Sequence, residues 1–291
     1  MHAAAAGGQI EAMQWLKEHG ADINALADKG TSPIHEAAKA NQIEAMQWLL
    51  EAGVPVDTQD VNGNTLMHIA AQAGQIDVMQ WLKERGADVD AKNTQEGVTP
   101  MYKAAQSGKV EALAWLKENG ADISIRHPSV GYTLMHVAAM SRKIEAMQFL
   151  VDNGADVNAV DNRGATPAHS ASFMSAPNIL AWLKEAGADI HAKDNNGNTP
   201  LFTHASNVTE WLIANGADVN VQNKQGQTPL HQAYIFTANF DKGAADKIIS
   251  LLLEAGADPT IKDNDGKTPE EAGAVRRAQI IKNDGDPRIP R

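Results

Sequence analysis

Thr65-Leu66-Met67-His68-Ile69-Ala70-Ala71 decides how this chain is read, because it recurs. Related segments begin at Ser32, Thr99, Thr133, Thr166, Thr199, Thr228 and Thr268. With Thr65 in its place, the steps are 33, 34, 34, 33, 33, 29 and 40 residues. A second marker keeps the same frame. Gly-Ala-Asp starts at Gly20, Gly86, Gly120, Gly154, Gly187, Gly216 and Gly256, and Gly53-Val54-Pro55 fills the remaining slot. Two independent markers with one period of about 34 residues are the signature of stacked repeats.

Within a unit the residues spell helix, turn, helix and a hairpin-like loop. Thr166-Pro167 is an N-cap followed by a first-turn proline. The Ala-Ala pair keeps that helix thin, so neighbouring units can approach. A second helix follows, as in Ile43-Glu44-Ala45-Met46-Gln47-Trp48-Leu49, with Ala45, Met46 and Leu49 forming an apolar stripe of helical period. Gly53 ends it in a position that favours left-handed backbone. Asp161-Asn162-Arg163-Gly164 supplies tight-turn residues for the loop.

Composition narrows the function classes. The 291 residues include 25 Lys and Arg against 36 Asp and Glu, a formal charge of -11. That balance argues against nucleic-acid backbones and anionic membranes, which need clustered positive charge. The absence of cysteine excludes disulfide scaffolds, thiol nucleophiles and cysteine zinc sites, and it fits a reducing compartment. There is no apolar run long enough to span a bilayer and no basic start with an apolar stretch behind it. A cytoplasmic location, or delivery into a host cytosol, is the expectation.

The T-P-L-H-x-A-A segment, the G-A-D-x-N segment and the period together resemble the ankyrin repeat family, over residues 1–282. The resemblance implies an all-α solenoid of helix-turn-helix units with hairpin-like loops, and an inner groove formed by the loops and first helices. It implies a protein-binding scaffold whose fold carries no catalytic machinery. It also implies that the histidine of each repeat hydrogen-bonds between units and sets the loops. The expected organisation is a half repeat at 1–24, full repeats over about 25–260, a capping helix over about 268–282 and a flexible tail at 283–291.

The ends differ. Met1 to Gln9 aligns with Met67 to Gln75, so the first unit starts mid-repeat and sets its alanines, with Met13 and Leu16 nearby, at an open end. A piece of a longer array is the favoured reading, a covered end the other. Thr268-Pro269-Glu270-Glu271 opens a last helix with Arg276, Arg277 and Lys282 toward its end, the charge order that suits a helix dipole.

Two units break the length rule. The usual gap from the histidine slot to the aromatic slot is 13, as from His35 to Trp48. It is 9 from Phe202 to Trp211 and 20 from His231 to Leu251. The gain falls within Ala233 to Lys242 and brings Tyr234, Phe236 and Phe240 together. Two readings stay open: a longer helix covering the gap beside it, or a partner contact.

Other constellations reduce to folding. Trp15, Trp48, Trp81, Trp115, Phe149, Trp182 and Trp211 share one slot and read as packing between units. His2, His35, His68, His136, His169 and His231 share another, which makes them structural rather than metal ligands. His35-Glu36-Ala37-Ala38-Lys39 lacks the second histidine of a zinc-protease pair. The loops ending in Gly63 and Gly266 lack acidic ligands at calcium-loop positions 1 and 12. No catalytic set appears, so no enzyme, cofactor or metal is expected.

What varies along the inner face points to the binding site. Lys39, Gln72 and Gln106 give way to Tyr132, Met140, Phe173 and Met174, and then to Tyr234, Phe236 and Phe240. Methionine and aromatic side chains suit an adaptable protein contact. The sequence thus predicts a monomeric scaffold holding a protein partner of neutral or basic surface, and an effector acting in a host cell is one setting for it. The alternative is the recognition arm of a larger enzyme.

Overall fold

The computed structural model describes residues 1–28, 30–237 and 242–284. It forms two compact units, Met1–Asp156 and Val157–Arg291. In the first unit the helices are α1 (His2–Ala6), α2 (Ile10–Glu18), α3 (Pro33–Lys39), α4 (Ile43–Glu51), α5 (Leu66–Ala73), α6 (Ile76–Glu84), α7 (Pro100–Ser107), α8 (Val110–Glu118), α9 (Leu134–Met140) and α10 (Ile144–Asp152). The second holds α11 (Pro167–Phe173), α12 (Pro177–Glu185), α13 (Ser206–Ala214), α14 (Pro229–Thr237), α15 (Lys242–Glu254) and α16 (Pro269–Asp284). No strand occurs among the described residues, only the isolated antiparallel bridges Gln59–Thr65 and Arg126–Thr133.

The two layers follow from the repeat. In the first unit α1, α3, α5, α7 and α9 pack in series as an inner layer, and α2, α4, α6, α8 and α10 as an outer one. The Ala-Ala pairs lie between inner helices, with Ala37, Ala38, Ala70, Ala71, Ala104 and Ala105 fully buried. The stripe of the second helices faces inward: Ala45, Met46 and Leu49 have no exposed surface. Ala4, Ala5 and Met13 at the first repeat are buried, α1 packing on α3, while Ala3 is exposed and Ala6 half-buried, so that end presents only part of its alanines.

Each of α1, α3, α5, α7, α9 and α11 is followed by one left-handed residue that turns the chain into the outer helix. Glycine holds it at Gly8, Gly74 and Gly108, while Asn41, Arg142 and Ser175 hold it at φ 59, 58 and 53°. A side chain there costs about 1–2 kcal/mol, and glycine's greater freedom in the unfolded chain returns part of that. Ser175→Gly is therefore expected to raise stability by ~0.5 kcal/mol. A lower urea midpoint would contradict the strain.

The shortened repeat departs from the expected helix pair. Its four missing residues come wholly out of the inner layer. Thr199 to Ala205 makes only turns, while α13 keeps the nine residues of a full outer helix. The outer helix is anchored on both sides and cannot shorten without uncovering the core, so the deletion falls on the inner one. At the chain's end α16 runs on through Asn283 and Asp284, which the sequence reading gave to the tail. The rest of that tail lies outside the described residues.

Candidate functional site: the concave groove

The groove is set by a polar device repeated at most inner helices, although α7 carries Tyr102 in the histidine slot. At Thr65 the backbone N–H donates to His68 Nδ1 at 3.2 Å, and the threonine hydroxyl lies 2.9 Å from the same atom. Nδ1 is thus an acceptor, which puts the ring proton on Nε2. That N–H points at the Val98 carbonyl of the next repeat, 2.9 Å away. His2 with Thr31, His169 with Asn198 and His231 with Lys267 repeat the link. The inter-repeat role implied for this histidine is therefore present at these positions. His35 is the exception: its buried Nε2 closes no hydrogen bond. Burial holds His35, His68 and His169 below the usual imidazole range.

The loops carry a second ladder. The Asp60 carboxylate accepts from the Asn62 and Asn64 amides at 2.8 and 2.9 Å and from Asn64 Nδ2 at 3.0 Å. Asn93 Nδ2 then donates to Asn64 Oδ1 at 2.9 Å, joining one loop to the next. These loops and the inner helices enclose a groove of about 590 Å³ in the first unit. Apart from His35, its helical lining comes from three slots: the fourth, seventh and eighth residues after the cap. Glu36 and Lys39, Ile69, Gln72 and Ala73, and Lys103 and Ser107 occupy them. Lys103 is 9% exposed, and its ammonium donates to Glu96 Oε2 at 2.8 Å. The ammonium in turn holds the Glu96 carboxyl below its usual range.

The same slots elsewhere hold Met140, Phe173, Met174 and Phe236 of the residues picked out from sequence, but not Tyr132 or Tyr234. In the first unit Met140 takes the seventh slot and is half-buried. Tyr132 is half-buried, its ring stacked on His136 with centroids 5.6 Å apart. In the second unit Phe173 and Met174 take the seventh and eighth slots and are 81% and 36% exposed. Phe236 stacks on His204 of the shortened repeat, centroids 4.3 Å apart. Tyr234 lies where α14 closely approaches Gly273 of α16. The insertion thus does part of the covering that one of its two readings assigns to it. Phe240 lies outside the described residues.

Phe173→Ser is expected to change stability by less than ~0.5 kcal/mol, because its side chain stands in water. Phe236→Ser should cost about 1 kcal/mol through the lost ring contact. Equal losses in thermal melts would overturn the distinction.

The outer aromatic slot is unevenly covered. Trp81 is 9% exposed, with the Arg85 guanidinium 3.8 Å from its ring centroid, and Trp15 is 57% exposed. Sequence reasoning missed Lys103–Glu96. The available signal was the 34-residue step from Thr65 to Thr99, which lengthens that loop by the residue that supplies Glu96.

Antiparallel helix pairs with protruding loops, stacked through shared slots, define a helical repeat protein built for surface contact. The family model of ankyrin repeats, in three copies, matches residues 1–93, 55–127, 101–194 and 176–263, and the chain belongs to that family. Among solved structures it is similar to the human ASB11 ankyrin repeat domain, with 25% identity and a TM-score of 0.58. That likeness covers 75% of this chain and 98% of the other. A search of curated proteins found no match. Ankyrin repeats are protein–protein interaction modules, and no described helix is long and apolar enough to cross a membrane.

Proposed function

We propose that the chain is a non-catalytic scaffold that holds a partner protein against the inner face of its repeats, using Phe173 and Met174 of the second unit; Met140 and Tyr132 are candidate contacts of the first unit by itself. The observation that carries this is Phe173. A phenylalanine 81% exposed in a groove-lining slot does nothing for the fold, and its repeat counterparts Lys39, Gln72 and Gln106 show that the slot accepts polar residues. Large apolar side chains left in water at a concave surface are what interfaces use as anchors.

The test is capture from source-cell lysate with two baits, the native chain and a Phe173→Ser, Met174→Ser, Met140→Ser variant of matched melting temperature. A protein retained by the native bait and lost by the variant supports the reading. A protein retained by both moves the footprint off these residues. Capture of nothing by either counts against a scaffold.

A further inference from the structure

Two joints in the second unit are closed by the same device. Asn158 Oδ1 accepts the Asp189 amide of the next repeat at 2.8 Å, and its Nδ2 donates to the Gly187 carbonyl at 3.3 Å. Asn220 does the same with the Asp258 amide at 2.7 Å and the Gly256 carbonyl at 3.1 Å. Each carboxamide thus takes one hydrogen bond and gives one across its joint. In the first unit the same slot, four residues after the glycine that stops α6, holds Asp90.

A carboxylate accepts but cannot donate. Asp90 takes the Asp122 amide on both oxygens, at 3.3 and 3.2 Å, and among the described residues no donor reaches the Gly120 carbonyl. An ionised acceptor ordinarily makes the shorter bond, yet this contact is the longest of the three. The surroundings account for that. Asp90 is half-buried. The charged groups acting on it are Asp88 and Lys92 of its own loop and Asp122 of the next, two negative against one positive. The Asp88 carboxylate already accepts the Asp90 amide at 2.9 Å, and that of Asp122 accepts the Ser124 amide and hydroxyl at 2.8 and 2.7 Å. Burial, and after it the two carboxylates, push the Asp90 carboxyl above its ordinary value.

We infer that Asp90 is a proton-operated latch between these two repeats. Charged, it holds the next repeat by one shared N–H. On taking a proton from solvent it becomes a donor, and the new O–H closes on the Gly120 carbonyl as the Asn158 and Asn220 amides close on Gly187 and Gly256. The loop that Asp90 opens carries Gln95 and Glu96 of the groove, so the latch acts at the base of the groove wall. A carboxyl that binds its proton more tightly in the folded chain adds stability as the pH falls through the folded value, and keeps it below the unfolded one, about 3.9. The buried histidines, which are held neutral, act in the opposite sense.

Urea midpoints of the native chain, Asp90→Asn and Asp90→Ala at pH 7.5 and 4.5 test the latch, because the histidine titration is common to all three and cancels in the differences. Asp90→Asn carries the donor permanently. It is expected to raise the midpoint at pH 7.5 by roughly 0.3 M, a gain that shrinks at pH 4.5. Asp90→Ala removes the charge without adding a donor and should lower the midpoint at both. If Asp90→Ala gains as much as Asp90→Asn, the residue is only a like-charge defect and the latch is overturned. An Asp90→Asn gain of the same size at both pH values overturns it as well. Carbon-13 titration reads the bond directly: the Asp90 carboxyl and the Gly120 carbonyl should shift together, and a Gly120 carbonyl that ignores the titration of Asp90 sinks the idea. Where the chain does not survive pH 4.5, the pH 7.5 comparison decides alone, an Asp90→Asn midpoint no higher than native counting against the latch.

Discussion

Gly63→Val lowers stability by about 3–4 kcal/mol, while Gly154→Val costs about 1–2 kcal/mol. Both glycines are left-handed, at φ 73 and 83°. The backbone strain of a valine is therefore common to the two. They differ in surroundings. A Cβ on Gly154 meets nothing within 4 Å, whereas one on Gly63 comes within 2.5 Å of the Thr94 backbone nitrogen. A backbone cannot swing aside like a side chain, so the two loops must part, and the Asp60–Asn64–Asn93 ladder with them. Urea midpoints of the two variants measure the difference. Equal losses would mean that loop stacking adds nothing to the array, and an unchanged Gly154→Val would refute the assignment of that glycine as a helix stop.

Acid is the second strong perturbation. His35, His68 and His169 are held neutral by burial, with folded values below that of the unfolded chain, about 6.5. The unfolded state therefore binds more protons once the pH falls below about 6.5. Stability is level above that point and declines below it, until the pH passes the folded values. With His204, which burial lowers as well, four such groups set a limiting slope of ~5 kcal/mol per pH unit. The structural reason is visible at His68. Protonation would place a new N–H on Nδ1, facing the Thr65 amide that already donates to it. Urea midpoints between pH 7.5 and 5 give the slope, and His68→Gln should remove about a quarter of it. A flat profile would show that these rings are not what couples the repeats.

The legible part of this molecule was its periodicity. Two markers in one frame placed every outer helix, because its stripe is a matter of burial and burial leaves a pattern in one dimension. The histidine slot was legible for the same reason. Lys103 was not, since a single charged residue in a repeat looks like drift until a neighbour such as Glu96 is seen beside it. The fate of the short repeat was also hidden. A count of missing residues does not say which layer loses them, and only the anchoring of α13 on both sides decides that. Phe236 shows the limit for aromatic clusters: its sequence context is the same whether the ring meets His204 or a partner.

The turn at Thr199 to Ala205 has a consequence for how the second unit comes apart. In a linear array cooperativity is handed from neighbour to neighbour, and it fails first at the weakest joint. Here one joint has an outer half and almost no inner half, tied by Ser172 and by the loop bond from Asn223 to Asn198. That joint is the fracture line of the second unit. Amides of the turn should exchange with solvent faster than those of α11 and α14, and the two sides of the break should open independently of one another.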